Sequence, residues 1–374
     1  MVISKKNIAI AYFFGLILFI SIVTYLGYFK GYDVNNKWTI GDWLINYNSG
    51  FIRRGLFGEM ALYFSDPKLF VFVFQIICYS LMSIFFFLSL KKLNFPRGFT
   101  FISITPFLFL FPILDPQGGF RKEIIGIAIL AFSCWAKLSL TIKVRKYIYF
   151  ITLIIFPALI LSHEILAIFL PLIVILKLDI KVSRIHNILS FLLLGFSLLA
   201  FFLSLKGNPI SAYDVGLICE PLNDFCNADA QMNGAISWLQ NSSSIGYQMV
   251  VLTHSNIQFI VRYLITICLL IPLVYIIRKP LYSSLSTISA KLLFLAFTIG
   301  LLSLHFIAID YGRFLYIWFF GLVFVCLSDA RKSTDKTIVL TPTILILLII
   351  YLPLWRIHHA SMLSLSELGQ LIAP

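Results

Sequence analysis

Runs of about twenty apolar residues recur along this chain, and they constrain its fold more than any other feature. A helix rises about 1.5 Å per residue, so about 20 residues cross a hydrocarbon core of about 30 Å. Such runs occupy residues 8–28, 69–90, 99–114, 124–141, 187–205, 256–277, 289–308, 314–328 and 337–355. The stretch 147–178 is longer, is interrupted by His163-Glu164 and carries Pro157 and Pro171. As one straight helix it would measure about 48 Å, too long for the membrane. We read it as two short spans meeting at His163-Glu164, because Lys143, Arg145 and Lys146 flank one outer end and Lys177, Lys181 and Arg184 the other. The expectation is an all-α polytopic membrane protein of 11 spans forming a single membrane domain. Composition agrees: 12% of residues are charged, against about a quarter in soluble domains. The 37 phenylalanines and the lack of a sustained heptad exclude disordered and coiled-coil chains.

The net charge of +13 would point to nucleic acid in a soluble protein, but here its distribution explains it. With the N-terminus cytoplasmic, the inward segments hold 18 of the 29 Lys and Arg but only Asp179, Asp329 and Asp335 among the acids. The positive-inside bias requires such a surplus, so no nucleic-acid partner is called for. The start of the chain, Lys5-Lys6 followed by an apolar run through Leu26, reads as a signal anchor, since Gly27-Tyr28-Phe29-Lys30 is no cleavage site. The C-terminus is then periplasmic, and the two long polar segments, 29–68 and 206–255, face outward.

Cys78, Cys134, Cys268 and Cys326 fall in spans, where thiols act as small apolar groups. Cys219 and Cys226 fall in the second outer loop, where an oxidising compartment favours a disulfide; two free thiols are the alternative. Their spacing does not suit zinc, and no metal site is expected.

Ionisable groups at membrane depth cost on the order of 2.5–3.5 kcal/mol each, so each one asks for a purpose. The densest set lies in the first outer loop, Gly41-Asp42-Trp43-Leu44-Ile45-Asn46-Tyr47-Asn48-Ser49-Gly50-Phe51-Ile52-Arg53-Arg54-Gly55-Leu56-Phe57-Gly58-Glu59. Its mixture of aromatic and charged residues reads as an interfacial, part-helical segment on the outer leaflet. Arg53 and Arg54 beside glycines suit a diphosphate, because guanidinium groups grip phosphate oxygens bidentately; snorkelling to lipid headgroups is the bland alternative. A second set, Asp115-Pro116-Gln117-Gly118-Gly119-Phe120-Arg121-Lys122-Glu123, enters a span. There Arg121 and Lys122 make either an anion site at a helix N-terminus or an ordinary capped turn. His163 and Glu164 are candidates for proton transfer or for binding an acceptor hydroxyl. In the turn from His305 to Arg313, Arg313 either binds phosphate or sugar or pairs with Asp310 three residues earlier. His254 and Arg262 are weaker candidates, and His358 and His359 read as exposed. No Walker A, H-E-x-x-H or G-x-S-x-G motif is present.

With these residues in view, the chain resembles the O-antigen or capsule repeat-unit polymerases of bacterial surface-polysaccharide clusters. The likeness rests on length, a Phe/Ile/Leu/Lys-rich composition, many spans, a large late outer loop, outward arginines, and the stretch Asn46-Tyr47-Asn48-Ser49-Gly50-Phe51-Ile52-Arg53-Arg54-Gly55-Leu56. The resemblance implies an inner-membrane glycosyltransferase that transfers a growing chain from undecaprenyl diphosphate to a new lipid-linked repeat unit. It would work on the periplasmic face without cofactor or metal, with membrane lipid around it and a chain-length regulator protein as a partner. It makes Arg53, Arg54, Arg121, Lys122 and Arg313 diphosphate ligands, and Asp42, Glu59, His163 and Glu164 acid/base candidates. The long first outer loop bearing Asp42 also looks like the membrane glycosyltransferases that use polyprenyl-monophosphate sugars and carry a catalytic acid there. A lipid-linked oligosaccharide flippase or other transporter is the alternative outside enzymes, and the crowding of charge at the outer face speaks against it.

Overall fold

The computed structural model describes residues 2–180, 183–206, 209–226, 234–255, 257–331 and 337–339. The side chains of His254 and Arg262, the run expected at 337–355 beyond its first three residues, and His358 and His359 lie outside the described residues.

Among the described residues the regular structure is helical, apart from a three-residue strand, β1 (Val2–Ser4), that pairs antiparallel with β2 (Thr337–Val339). In order the helices are α1 (Lys5–Gly27), α2 (Gly41–Leu44), α3 (Gly55–Ala61), α4 (Pro67–Lys92), α5 (Arg97–Ile102), α6 (Phe111–Leu114), α7 (Pro116–Gly119), α8 (Glu123–Ser139) and α9 (Ile142–Ser162). There follow α10 (Leu170–Lys177), α11 (Arg184–Lys206), α12 (Ala212–Cys219), α13 (Ser243–His254), α14 (Ile257–Ile276), α15 (Arg278–Ser284), α16 (Ile288–Leu304) and α17 (Tyr311–Ser328). Among the described residues, five helices are long and apolar enough to cross a membrane: α1 with its π-helical extension to Tyr32, α4, α9, α11 and α17. The pair α14–α15, bent by 75°, makes a sixth if it is one span.

Local sequence explains where these helices begin and break. The Asp66 carboxylate accepts from Leu69 N at 2.9 Å and Pro67 opens α4, so a cap and a proline set its start. Thr287 caps α16 in the same way. The run at 99–114 is not one helix. It is α5, a series of turns and then α6, because Pro106 and Pro112 withdraw backbone donors and clash with a preceding turn. The stretch 147–178 does turn at His163, which is extended at φ −166°. Its second half is a 3₁₀ segment (Glu164–Phe169) followed by α10, with Pro171 in the first turn of α10.

Helix α17 is the axis of the bundle: fifteen of its residues are buried, from Tyr311 to Ser328. Helices α8, α10, α15 and α16 pack around it, α4 packs along α8, and α11 packs along α9. Two ion pairs fix the directions of α8 and α17. Arg313 meets Glu123 at their N-terminal ends (3.7 Å), and Lys137 meets Asp329 at their C-terminal ends (2.8 Å), so the two run parallel. Helix α9 runs the other way, its Ser162 carbonyl reaching Lys122 at the start of α8. The outward faces of α1 and α11 are apolar, with Phe13, Phe14, Leu18, Ile185, Phe191 and Phe196 exposed. Water would reject such a surface, whereas lipid accepts it, and the chain is a helical membrane protein.

The first long loop is part-helical, carrying α2 and α3. It folds back onto the bundle and buries Ile40, Asp42, Trp43, Leu44 and Ile45 completely. Trp43 Nε1 donates to the Phe120 carbonyl (3.0 Å), and Gln75 Nε2 donates to the carbonyls of Thr39 and Phe120 (2.8 and 3.1 Å). Gly58 lets α3 pass so near the Ile45 carbonyl that any side chain there would collide with it. In the second loop, Cys219 and Cys226 form a disulfide with Cα atoms 5.4 Å apart. The same loop is tied to the first by Asn46, whose Nδ2 donates to the Ile218 carbonyl (2.9 Å).

Candidate functional site

The folded-back loop delivers its charges to one end of the bundle, where α8 and α17 begin and α9 ends. Arg54 is central. Its backbone is left-handed (φ 68°), an uncommon state for a residue with a Cβ. The turn points its carbonyl at Lys122 and its guanidinium at two acids. Nε donates to both oxygens of Glu164 (3.0 Å each), Nη2 donates to Glu164 Oε1 (2.5 Å), and Nη1 reaches Asp42 Oδ1 (3.4 Å). Such a bidentate, charge-assisted grip can hold a backbone in a costly conformation.

Around this pair the other predicted residues fall into distinct places. His163 Nε2 stands 4.0 Å from Asp42 Oδ2 and 3.9 Å from Glu123 Oε1, and its Nδ1 accepts from Ile165 N (3.3 Å). Glu164 Oε2 lies 3.4 Å from the same Nδ1; with Nδ1 taken as the acceptor from Ile165 N, a neutral ring carries its proton on Nε2. Arg313 donates to Asp310 from Nη2 (2.8 Å) and stands 3.7 Å from Glu123 through Nε. Lys122 is fully buried and its ammonium donates to the carbonyls of Arg54 (3.0 Å) and Ser162 (2.9 Å), so it staples loop to bundle. Arg121 donates to the Trp38 carbonyl (2.8 Å) and lies over the Trp38 ring. Arg53, 3.9 Å from Glu164, keeps its Nε without a partner and shares the partly exposed rim with Arg54. Glu59 stands apart from the cluster, accepting from Tyr47 N (3.0 Å) to close the turn at 47–50.

Burial alone would raise the Asp42 carboxyl, but Arg121, Lys122, His163 and Arg54 together hold it below the ordinary carboxylate range. Glu164 is likewise held well below it, against its burial, chiefly by Arg54. Burial and then Arg54 push His163 down, which keeps it neutral near pH 7. Burial and the neighbouring Arg54 bring Arg53 down to about 10, where it is still charged. The cluster thus sets five cations (Arg53, Arg54, Arg121, Lys122, Arg313) against four acids (Asp42, Glu123, Glu164, Asp310), a formal surplus of one positive charge. Among the described residues, no three His, Cys, Asp or Glu side chains are arranged to hold a metal ion.

Glu123 is the member that sequence reasoning passed over. An acid opening an apolar helix reads as a favourable partner for the helix dipole, and nothing local marks it otherwise. It is buried, paired in charge with Arg313, and neither oxygen has a hydrogen-bond partner among the described residues.

Between α14, α15, α16 and α17 runs a largely apolar cavity of about 600 Å³, lined by Leu270, Val274, Leu302, Phe314 and Trp318 and reaching Arg278 and Tyr282 at its far end. Tyr263 and His305 line it at the end near Arg313, bonded to each other at 2.7 Å. Set against protein-family models, curated proteins and solved structures, the chain matches none of them.

Proposed function

We propose that this chain is a glycosyltransferase of the bacterial inner membrane, acting in surface-polysaccharide assembly. It would have eleven spans, with the ion cluster facing the periplasm, and would use a sugar carried on a polyprenyl phosphate. The carrying observation is Asp42: a fully buried carboxylate, delivered by the first outer loop into a cationic cluster that keeps it ionised. A buried charge with that many partners is costly to assemble and is of the kind functional sites maintain.

In this reading the acceptor hydroxyl gives its proton to Asp42 while its oxygen bonds to the sugar's anomeric carbon. The bond from that carbon to the phosphate oxygen breaks, and its electron pair leaves with the phosphate. Arg53 and Arg54, at the rim, take up the charge that develops there. Asp42 is a weak base while Arg121, Lys122 and Arg54 hold it. A donor phosphate that pairs with those arginines loosens their hold and makes Asp42 more basic, so the donor should bind first. The largely apolar cavity between α14, α15, α16 and α17 supports a lipid-borne donor, since it offers an isoprenoid tail an apolar place that begins at Tyr263, His305 and Phe314.

Charge favours a monophosphate: four of the five cations are already engaged, and the surplus is one. Repeat-unit polymerisation from undecaprenyl diphosphate, with a chain-length regulator as partner, is the second reading. The two adjacent rim arginines, one of them with an unpartnered Nε, favour it.

Deleting the gene in its host and running the surface polysaccharide on a gel separates these readings. A ladder of normal length lacking one sugar is the expected result. A single repeat unit on the core, without a ladder, would establish polymerisation instead. Normal length and normal composition together would refute both. Asp42→Asn should reproduce the deletion while the protein still inserts in the membrane.

A further inference from the structure

Among the described residues, five buried polar atoms at the floor of the cluster have no hydrogen-bond partner: Asp42 Oδ2, both oxygens of Glu123, Arg313 Nε and, on the same face of α17 one turn on, the Tyr316 hydroxyl. Buried polar groups are almost always satisfied, so a group of orphans in one place marks where something polar belongs. Their spacing says what. Asp42 Oδ2 to His163 Nε2 is 4.0 Å, His163 Nε2 to Glu123 Oε1 is 3.9 Å, and Glu123 Oε1 to Arg313 Nε is 3.7 Å. Each gap is too wide for a direct hydrogen bond, yet an oxygen set within it at about 2.8 Å would bond to both sides. The atoms alternate between acceptors (the two carboxylates) and donors (His163 Nε2–H and Arg313 Nε–H). A hydroxyl both donates and accepts, so the alternation fits hydroxyls in a row. A cation would face Arg313 Nε and Lys122, and an anion would face two carboxylates. A neutral hydroxyl meets neither objection.

We propose that these side chains form a seat for two adjacent hydroxyls of the acceptor sugar, with Glu123 as a second carboxylate that selects a vicinal diol. The inference rests on the glycosyltransferase reading. The reacting hydroxyl donates to Asp42 Oδ2, which takes its proton, and accepts from His163 Nε2–H. Its neighbour on the sugar ring, about one hydrogen-bond length away, donates to Glu123 and accepts from Arg313 Nε–H. Glu123 moves no proton: it aligns the acceptor by holding the hydroxyl beside the one that reacts. Water is the other source of the same chemistry and would fill the seat in the absence of acceptor.

The test uses membranes containing the full-length protein, the native donor, and as acceptor the lipid-linked sugar that accumulates in the deletion strain. That acceptor is also prepared with its terminal sugar deoxygenated next to the reacting position. Losing one charge-assisted hydrogen bond should lower kcat/KM of the wild type for the deoxy acceptor about 10–100-fold, mainly through the acceptor KM. Glu123→Gln should lower kcat/KM for the parent acceptor by a similar factor, leave the donor KM unchanged, and scarcely affect the deoxy acceptor. Equal loss on both acceptors would mean that Glu123 holds water or structure only, and would overturn the seat. Equal use of both acceptors by the wild type would overturn it too. Absence of any transfer by the wild type would instead reject the glycosyltransferase reading itself.

Discussion

Removing Arg54 tests whether the charge cluster holds the first loop to the bundle. In Arg54→Ala, Glu164 loses its three hydrogen bonds from the guanidinium, and fully buried Asp42 loses one of its cations. Deleting one partner of a buried pair costs about 3–5 kcal/mol, because the other charge stays behind unpaired. The lower end applies, since the Glu164 side chain keeps 15% exposure and Arg53 remains 3.9 Å away. We therefore expect a loss of about 3 kcal/mol. Glu164→Ala in the same background removes the stranded charge, so the double variant should recover about 2 kcal/mol relative to the sum of the singles. Arg54→Gly should cost about 1 kcal/mol less than Arg54→Ala, because glycine adopts a φ of 68° freely and alanine does not. Denaturant unfolding of the purified protein in detergent, followed by tryptophan fluorescence, measures all four. Trp43, within this loop, is buried against Phe57 and bonded to the Phe120 carbonyl of the bundle, so it reports the loop's release. Additive single effects, with a coupling below about 0.5 kcal/mol, would show that the contact is too solvated to matter and would refute the reasoning.

The pH dependence should follow the same contacts. Asp42 and Glu164 are both held below the ordinary carboxylate range, so their stabilisation is complete above about pH 4–5 and is lost as pH falls through their depressed values. Unfolding midpoints should be flat from pH 6 to 8 and fall on acidification; in Arg54→Ala the part carried by Glu164 should shrink, while the part carried by Asp42, held chiefly by Arg121 and Lys122, should largely remain. Arg53→Ala, whose target has an unpartnered Nε at the rim, should change unfolding by less than about 1 kcal/mol yet raise the donor KM. Unchanged donor kinetics would remove Arg53 from the phosphate site. Cys219→Ser opens a short covalent loop worth about 2–3 kcal/mol in chain entropy and should loosen the second outer loop. Maleimide labelling of Cys219 and Cys226 in the wild type should appear only after reduction.

The long helices are legible in the sequence because each is announced by its own apolar run, and α1, α4 and α11 begin and end within a few residues of those runs. Hydropathy fails at 99–114, where backbone chemistry outweighs it: prolines at 106 and 112 break a stretch that is apolar enough for a helix. In the first loop the part-helical character is legible, as α2 and α3 show, but an interfacial segment and a folded-back plug share the same aromatic-and-charged mixture. Only contacts such as Trp43 to the Phe120 carbonyl distinguish the two.

The charged residues carry a different kind of information. An ionisable group among apolar residues must be neutralised, so the sequence announces that Arg54, Glu164, Arg313 and Asp42 have partners. It does not say which, because Arg54 and Glu164 are 110 positions apart. Proximity in sequence is a poor guide here. Glu59 lies five residues from Arg54 and takes no part in the cluster, while Glu123 is invisible as a site residue because one acid at a helix start is ordinary. Near-neutrality of the whole set is the stronger constraint. Five cations brought to one buried end require about as many acids, and four are found there. What near-neutrality does not require is that the acids be satisfied. Arg54 and Glu164 are closed upon each other, whereas Asp42 Oδ2 and Glu123 are balanced in charge and still lack hydrogen bonds. The first arrangement holds a loop in place. The second leaves a buried polar surface that still lacks hydrogen-bond partners among the described residues.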